Sequence, residues 1–557
     1  MIRNALLSVY DKTGIVDFAR QLVKMGTTIW SSGGTAKVLN DAGIPHSTVE
    51  DLTGFPHLFG GRVKTLHPKV HGGILMRESE EDKAQAGLHG IPPIDLVAVN
   101  LYPFEEYERD YQEGRATYEE VIEKIDIGGP TLLRSAAKNY ERVYVLSDPS
   151  AYEGFFEAWT KAEPLLYRKR LAAETFRRVT FYDMAISHFF DPRRRYREDT
   201  DIMLLKYGSN PSQTPAYVSY PSSLDKGATP ASQFCLHNGR PSYINMLDGL
   251  LGSGLVKDAT RVFAYEDGPL YFAASYKHNS PAGFAVSKIS LADAYKKARD
   301  CDPLSSFGDF VAVSHAADED LALAVKPEVS DGIMAPEFGE EALSILKAKK
   351  KGTYVMMAYH PWMYDDEMRD LCGLTLHQPS HEDFETLEDL DLEEGPLTDL
   401  RLSTICLKYT QSNSVVIAYG GQCIGIGAGQ QNRVDCVRLA VRKAHEFLLR
   451  KHPKVLHALD TSPGSRTAKA NLAYDLVRDT EFLSVDERKT WLDTYKGKLS
   501  LSSDGFFPFP DSIDVAYEGG VGFIVQPGGS TRDGEVEAKA KELGIVLHHT
   551  GRRYFTH

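Results

Sequence analysis

The sequence predicts an α/β fold: an open, mostly parallel sheet covered by helices, followed by a second α/β region richer in loops. Three observations carry this. Short β-branched runs alternate with amphipathic helical patterns through the first two hundred residues. A long helical pattern from Pro164 to Phe190 closes that unit. From about residue 200 the texture shifts to more Gly, Asn, Ser and aromatic residues in loops, and a chain of 557 residues is too long for one core.

Taken in order, ALLSVY reads as the first strand, GIVDFARQLVKMG as the helix after it, and TTIWSS as the second strand. IDLVAVNLY and RVYVLSD repeat the theme, and in such a sheet ligands bind at the carboxyl ends of the strands. Further on, an apolar run from Leu270 to Ala274 leads into Lys277 and His278, before Pro281 and Gly283. Neighbouring side chains in a strand face opposite ways, so this pair can serve one site only where the strand ends or twists. The bland alternative is a surface turn. The acidic stretch HEDFETLEDLDLEEGPLTDL, 381–400, suits a connector between two subdomains. Around it KHNSPAGFAV is echoed by TQSNSVVIAY, and SSFGDFVAV by SSDGFFPFPD, a faint sign of duplication.

Composition narrows the function classes. With 42% hydrophobic and 25% charged residues and no apolar run of membrane-spanning length, the chain reads as soluble. MIRNALLSVYDKTG lacks the long apolar core of a signal peptide, which points to the cytoplasm. A net charge of −14 argues against nucleic acid, and the basic cluster DPRRRYRED is flanked by acids. Six scattered cysteines without a CxxC pair argue for reduced thiols, and His67 and His71, separated by Pro68, lack the glutamate of a metal motif. No metal site is expected.

Several segments carry chemistry. WSSGGTAKVL follows a strand and opens a helix: Gly33 and Gly34 admit a close ligand, Ser32 and Thr35 add hydroxyls, and the helix N-terminus favours an anion. GGRVKTLHP places Arg62, Lys64 and Thr65 after two glycines. NLYPF supplies Asn100 and Tyr102, and KIDIGGPTLLRSAAKN supplies Asp126, Gly128, Gly129 and Lys138. Together they form an inventory for proton transfer on a phosphorylated substrate. In GIGAGQQNRVDCVRLA the glycines at 425, 427 and 429 are spaced GxGxG, not GxGxxG, so a binding turn of another kind is expected there.

These segments, with SVYDKTG, LTGFP, KYGSNPSQ, SYKHNSPAG, DPLSSFGDF, VSDGIMAP, KYTQSNSV, SSDGFFPFPD and QPGGSTRD, run in order along a chain that resembles a known family over nearly its whole length. It is the bifunctional purine-biosynthesis family joining aminoimidazole carboxamide ribonucleotide (AICAR) transformylase to inosine monophosphate (IMP) cyclohydrolase. The resemblance implies a cyclohydrolase domain at 1–198 similar to methylglyoxal synthase. It implies a transformylase region at 199–557 of two subdomains similar to cytidine deaminase, with their boundary near 380–400. The zinc signature HxE…PCxxC is absent, so that similarity is one of fold.

By the same resemblance, the transformylase moves a formyl group from 10-formyltetrahydrofolate to the exocyclic amine of AICAR. His278 would transfer the proton, Lys277 would orient the nucleotide, and Asn413 would donate a hydrogen bond to the formyl oxygen. Lys206, Tyr207, Asn245, Gly308, Asp331, Arg433, Arg553 and Phe555 would bind the nucleotide. Phe506, Phe507, Asp511, Gly528, Gly529 and Ser530 would shape the folate pocket. A site built from two chains implies a homodimer. Ring closure of formyl-AICAR to IMP would fall to Lys64, Tyr102, Asp126 and Lys138, with Lys12, Ser32, Gly34, Thr35, Arg62 and Thr65 holding phosphate and ribose. No metal is required for either step.

Three residues depart from the family's commoner pattern: Tyr10 where a serine is usual, Lys206 for an arginine, and Ser212 for the histidine of NPHQ. An enzyme with only a working cyclohydrolase, or a regulatory protein that binds nucleotide and folate, are the alternatives.

Overall fold

The structure, a computed structural model, describes residues 2–557 apart from 57–58, 60–61, 162, 194–197, 223–233, 360–365, 382–383, 385–386 and 388–389. The glycine pair of GGRVKTLHP, the middle of the basic cluster and much of the acidic stretch therefore lie outside the described residues. The chain forms two compact units, one from the residues up to Glu198 and one from Asp199 onward.

In the first unit β1 (Asn4–Val9), β2 (Thr28–Ser31), β3 (Ser47–Thr48), β4 (Leu96–Asn100) and β5 (Tyr144–Leu146) form a sheet of order β3-β2-β1-β4-β5, parallel at every pairing. The period-two alternation of β1 shows directly: Ala5, Leu7 and Val9 enter one core with Phe18 and Leu22, while Leu6 enters the other with Val97, Leu132 and Ala136. The helix Ile15–Lys24 buries Ile15, Phe18, Ala19 and Leu22, one face at helical spacing. Each fully buried Phe or Leu contributes about 1.5–3 kcal/mol. The long helix spans Pro164–Phe190, with its proline in the first turn, where the missing N–H costs nothing. Because the strands are parallel, their carboxyl ends share one edge, and the order reverses between β1 and β4. A crevice opens at that switch point.

The second unit is mixed. β6 (Glu198–Leu204) pairs with β7 (Tyr217–Ser222), and β14 (Asp366–Leu371) with β15 (Leu374–Pro379). The main sheet comprises β8 (Phe234–Asn238), β9 (Tyr271–Lys277), β10 (Ser280–Ser287), β11 (Asp309–Val313), β12 (Ser330–Ala335), β13 (Val355–Tyr359), β16 (Val415–Tyr419), β17 (Gln422–Gly427), β18 (Leu499–Ser503), β19 (Val521–Gln526) and β20 (Val546–His549). Its order is β20-β19-β18-β16-β17-β10-β9-β11-β12-β13-β8. The array β10-β9-β11-β12-β13 has the same sequence of antiparallel and parallel pairings as β17-β16-β18-β19-β20. The two arrays join into one continuous sheet where Ala285 of β10 opposes Gln422 of β17.

This repeat is out of register with the echo in the sequence. KHNSPAGFAV holds the turn and second strand of its hairpin, whereas TQSNSVVIAY holds the lead-in and first strand of the other. The better marker is a glycine. A Cβ at Gly283 would strike the carbonyl of Ala298, and one at Gly425 the carbonyl of Ala440, each on the helix that follows its hairpin. That corrects the reading of GIGAGQ as a binding turn: Gly425 and Gly427 let the helix Arg433–Arg450 pack closely on β17.

Candidate active sites

The crevice of the first unit has a volume of about 740 Å³ and is lined by Lys12, Ser32, Gly34, Thr35, Arg62, Lys64, Thr65, Asn100, Tyr102, Asp126, Gly128 and Gly129, among others. Ser32 precedes the helix Gly33–Asp41 without capping it through its side chain, so the positive N-terminal end of that helix is left uncapped beside the cleft that Ser32 and Gly34 line. Two ammonium groups converge there. The Lys64 Nζ lies where a Gly33 side chain would begin, and Lys12 packs beside Gly34. Burial holds both lysines below the usual amine range, and Lys64 depresses Lys12 further. Amide dipoles and two cations in one concavity suit a phosphate.

Other expected binders face the scaffold. Thr35 Oγ1 accepts from Val9 N at 2.9 Å and contacts Val9 O at 3.0 Å, tying the helix to the end of β1. Asn100 accepts from the N–H groups of Tyr10 (2.6 Å) and Asp11 (2.9 Å) and donates to Asp11 O (2.9 Å), so it shapes the loop that carries Lys12. Arg62 is exposed and pairs with Glu123.

On the opposite wall, Asp126 Oδ1 accepts from Gly129 N at 2.8 Å, and its own N–H donates to Tyr182 Oη at 2.7 Å. Burial pushes its carboxyl above the usual range, against the backbone N–H groups of Gly129 and Gly128. Gly129 is required because a Cβ would meet that carboxylate and, at 2.7 Å, Leu101. Thr65 is buried against Gly128. Tyr102 is held edge-on by Tyr10, with ring centroids 5.0 Å apart, and Tyr10 Oη meets Tyr107 Oη at 2.9 Å. The departure at Tyr10 thus has a structural place, as a buttress for Tyr102.

Lys138 is not brought in. It ends the helix whose first residues, Gly128 and Gly129, line the crevice, so ten residues of helix put it about 15 Å along the axis. There it lines a different groove with Arg134 and Lys169.

In the second unit a cleft of about 810 Å³ is lined by Lys206, Tyr207, Asn245, Asp248, Lys277, His278, Gly308, Asp331 and Lys350, among others. The strand problem posed by the Lys-His pair is solved by backbone: His278 and Asn279 both sit at φ 57°, so the chain leaves β9 and both side chains reach one cleft. Lys277 Nζ donates to Phe307 O at 2.6 Å and also borders an adjoining cavity of about 470 Å³ with Leu304, Phe307 and Arg466. Asn245 Oδ1 accepts from Ser242 N and Oγ, both at 3.0 Å, in a capping box that opens the helix Tyr243–Val262. Lys350 pairs with Asp331 at 2.5 Å. Sequence reasoning missed Asp248, Arg240 and Lys350, which stand in no recognised motif; Ser209 and Pro211 line the cleft, whereas Ser212 is not among its lining residues.

The remaining expected residues cluster on the other array. Arg433 Nη2 donates to Asn413 Oδ1 at 2.8 Å, Asn413 Nδ2 to Gln430 O at 2.8 Å, and Arg433 Nη1 to the buried Asp504. Arg433 is 8% exposed, so it positions Asn413 and is not open to a nucleotide in this chain. Arg553 stacks over Phe506 and Phe555, at 5.7 and 5.6 Å. Phe507 is fully buried in the core with Ile513 and Ile524, which corrects its assignment to an open folate pocket; its N–H donates to Gln526 Oε1 at 2.6 Å. Asp511 opens a helix nearby, and Gly528 and Gly529, at φ 69° and 92°, form a turn in which the N–H groups of Gly529 and Ser530 donate to Asp533. Lys277 and Asn413 lie on the same sheet edge but are separated by β10 and β17, three strand spacings or about 14 Å.

Residues 136–443 match the family described as AICARFT/IMPCHase bienzyme, and residues 14–131 match the MGS-like domain. The chain belongs to the AICARFT/IMPCHase bienzyme family. Proteins named bifunctional purine biosynthesis protein PurH from Persephonella marina and Synechococcus elongatus are each 37% identical to it, over 100% of both chains. A solved structure titled "Crystal structure of ForH" is 38% identical, covering 34% of this chain and 98% of its own, with a TM-score of 0.30. Membership carries the two activities of the family's name, AICAR transformylase and IMP cyclohydrolase, the last two steps of IMP synthesis. It also places the parallel sheet of the first unit among MGS-like domains. Among the described residues, no helix is long and apolar enough to cross a membrane, and no group of three or more His, Cys, Asp or Glu is placed to hold a metal ion.

Proposed function

We propose that the family's two reactions are divided between the two clefts: ring closure in the domain 1–198 and formyl transfer in the region 199–557, whose two subdomains meet near 380–400. The observation that carries this is two separate clefts in separate units, each with its own cationic and proton-transferring groups. In ring closure the carboxamide nitrogen of formyl-AICAR attacks the formyl carbon, and water leaves. Lys64, Lys12 and the amides at Gly33–Gly34 hold the phosphate. Asp126, whose burial disfavours its charge, exchanges a proton beside Tyr102.

In formyl transfer the AICAR amine attacks the formyl carbon of 10-formyltetrahydrofolate. His278 takes the amine proton, Lys277 answers the developing oxyanion, and the bond to the folate nitrogen breaks as that nitrogen is protonated. Asn413 must also reach the formyl oxygen. Three strand spacings within one chain are too far for that, so the reading places Asn413, with Arg553, Phe555 and the folate-binding turn, on the second copy of a homodimer. The protein works in the cytoplasm with reduced folate and without a metal.

The test is a pair of variants assayed for both steps. His278→Ala should abolish tetrahydrofolate release and still convert added formyl-AICAR to IMP, and Lys64→Ala should do the reverse. Loss of both activities in either folded variant refutes the division. In the parent protein, equal accumulation of tetrahydrofolate and IMP is expected; ring closure without formyl transfer would favour the cyclohydrolase-only reading that Ser212 raises.

A further inference from the structure

Asp248 stands in the second turn of the helix Tyr243–Val262 and is 4% exposed. The helix lies close against the sheet at this point. A Cβ at Gly249 would come within 3.0 Å of Met334 and Phe310, and one at Gly252 within 2.9 Å of Ala312. From this helix the Asp248 carboxylate reaches the turn between β9 and β10. Its Oδ1 accepts from Asn279 N at 2.8 Å, and the backbone of His278 lies beside it. These are the two residues at φ 57°. The left-handed region costs a residue with a Cβ about 1–2 kcal/mol, less for Asn, so the turn needs a partner that rewards this conformation.

The groups facing Asp248 are few. The His278 imidazole favours its charge, Asp331 on β12 opposes it, and Tyr276 lies beneath; Lys206, Arg240, Lys277 and Lys350 line the same cleft. Lys350 already answers Asp331. Burial pushes the Asp248 carboxyl above the usual range.

We propose that Asp248 is a positioning residue for formyl transfer: its carboxylate clamps the left-handed His278–Asn279 turn, and its charge supports the imidazolium formed when His278 takes the proton of the AICAR amine. The proposal rests on the assignment of His278 as proton acceptor. It adds a buried carboxylate, on another element, through which the Lys277–His278 pair is aimed and charged. The proton stays on His278 and passes to the departing folate nitrogen; Asp248 exchanges none.

Asp248→Asn keeps the shape and one carbonyl acceptor but removes the charge. In the full-length protein the expected result is a fall in transformylase kcat of roughly 10–100-fold, as for a reacting group displaced by about 1 Å. KM for AICAR should change little, and the acid limb of the transformylase pH profile should move to lower pH. Ring closure should be unchanged. Adding Asn279→Gly, which removes one left-handed penalty, should restore part of kcat but leave the limb displaced, since the charge is still missing. A purely structural role would lower the folded fraction without moving the limb. Parent-like kcat and pH profile in folded Asp248→Asn overturn the proposal, as does a loss of kcat with no movement of the limb. If His278→Ala retains formyl transfer, the reading of His278 is what fails, whatever Asp248→Asn shows.

Discussion

Gly129→Ala tests whether the Asp126 carboxylate is part of the chemistry. A Cβ at Gly129 would stand 2.7 Å from Leu101 Cδ2 and closer still to Asp126. Carbon contacts are comfortable near 3.5–4.0 Å, so either the leucine or the carboxylate must give way by about 1 Å. Neither is free: Leu101 packs against the clusters around Val97 and Phe104, and Asp126 is tied to the Gly129 N–H. Overpacking of this kind costs about 1–3 kcal/mol, less at most about 1 kcal/mol returned by the better helix propensity of alanine. For a unit of some two hundred residues that net cost is a fall in Tm of up to about 12 °C. The rate is the sharper measure, because a 1 Å displacement of a reacting group costs about a hundredfold. The assay is conversion of added formyl-AICAR to IMP at 10 °C or more below the variant's Tm, with formyl transfer followed in the same preparation. Ring closure should fall about a hundredfold and formyl transfer should hold. A lowered Tm with ring closure within twofold of the parent would refute the placing of Asp126 in the reaction.

Arg433→Met should leave the buried Asp504 without its cation and destabilise the second unit by about 3–5 kcal/mol, seen as a lower denaturation midpoint of the transition that abolishes formyl transfer. A parent-like midpoint would mean that Ser412 and the Ser414 N–H, which also donate to Asp504, satisfy it alone. Asp399, buried where among the described residues the N–H groups of Gly420 and Gly421 answer its carboxylate, has its pKa raised to about 6 from 3.8. Between about pH 4 and 6 the unfolded chain has released this proton while the folded one keeps it, so stability attributable to Asp399 falls as pH rises, by about 3 kcal/mol in all. The Tm of the parent relative to Asp399→Asn should therefore decline across that interval and level off above it. A difference that does not vary with pH would rule this out.

Much of the fold was legible because periodicity is local. The alternation in ALLSVY, the one-faced helix after it and the stretch Pro164–Phe190 each depend on residues within a few turns of one another, and all reappear as elements. The first site was legible for a related reason. In a parallel sheet every strand delivers its carboxyl end to one edge, so Ser32, Asn100 and Tyr102 had to come near the crevice once the strands were identified.

What a side chain does once it arrives was not legible. Thr35 and Asn100 sit at the site yet turn their hydrogen bonds on the β1 loop, Arg433 is enclosed by Asp504 and Asn413, and Phe507 belongs to the core. Lys138 follows Gly128 in one motif but is carried about 15 Å away by the helix between them. Asp248 shows the converse: a lone carboxylate amid apolar residues of a helix has no signal in its neighbours in sequence. The chain alone therefore determined the elements, the sheet edge and the inventory of groups. Only tertiary structure decided which groups face a ligand, because that depends on partners 31 positions away for Asp248 and Asn279, or 71 for Arg433 and Asp504.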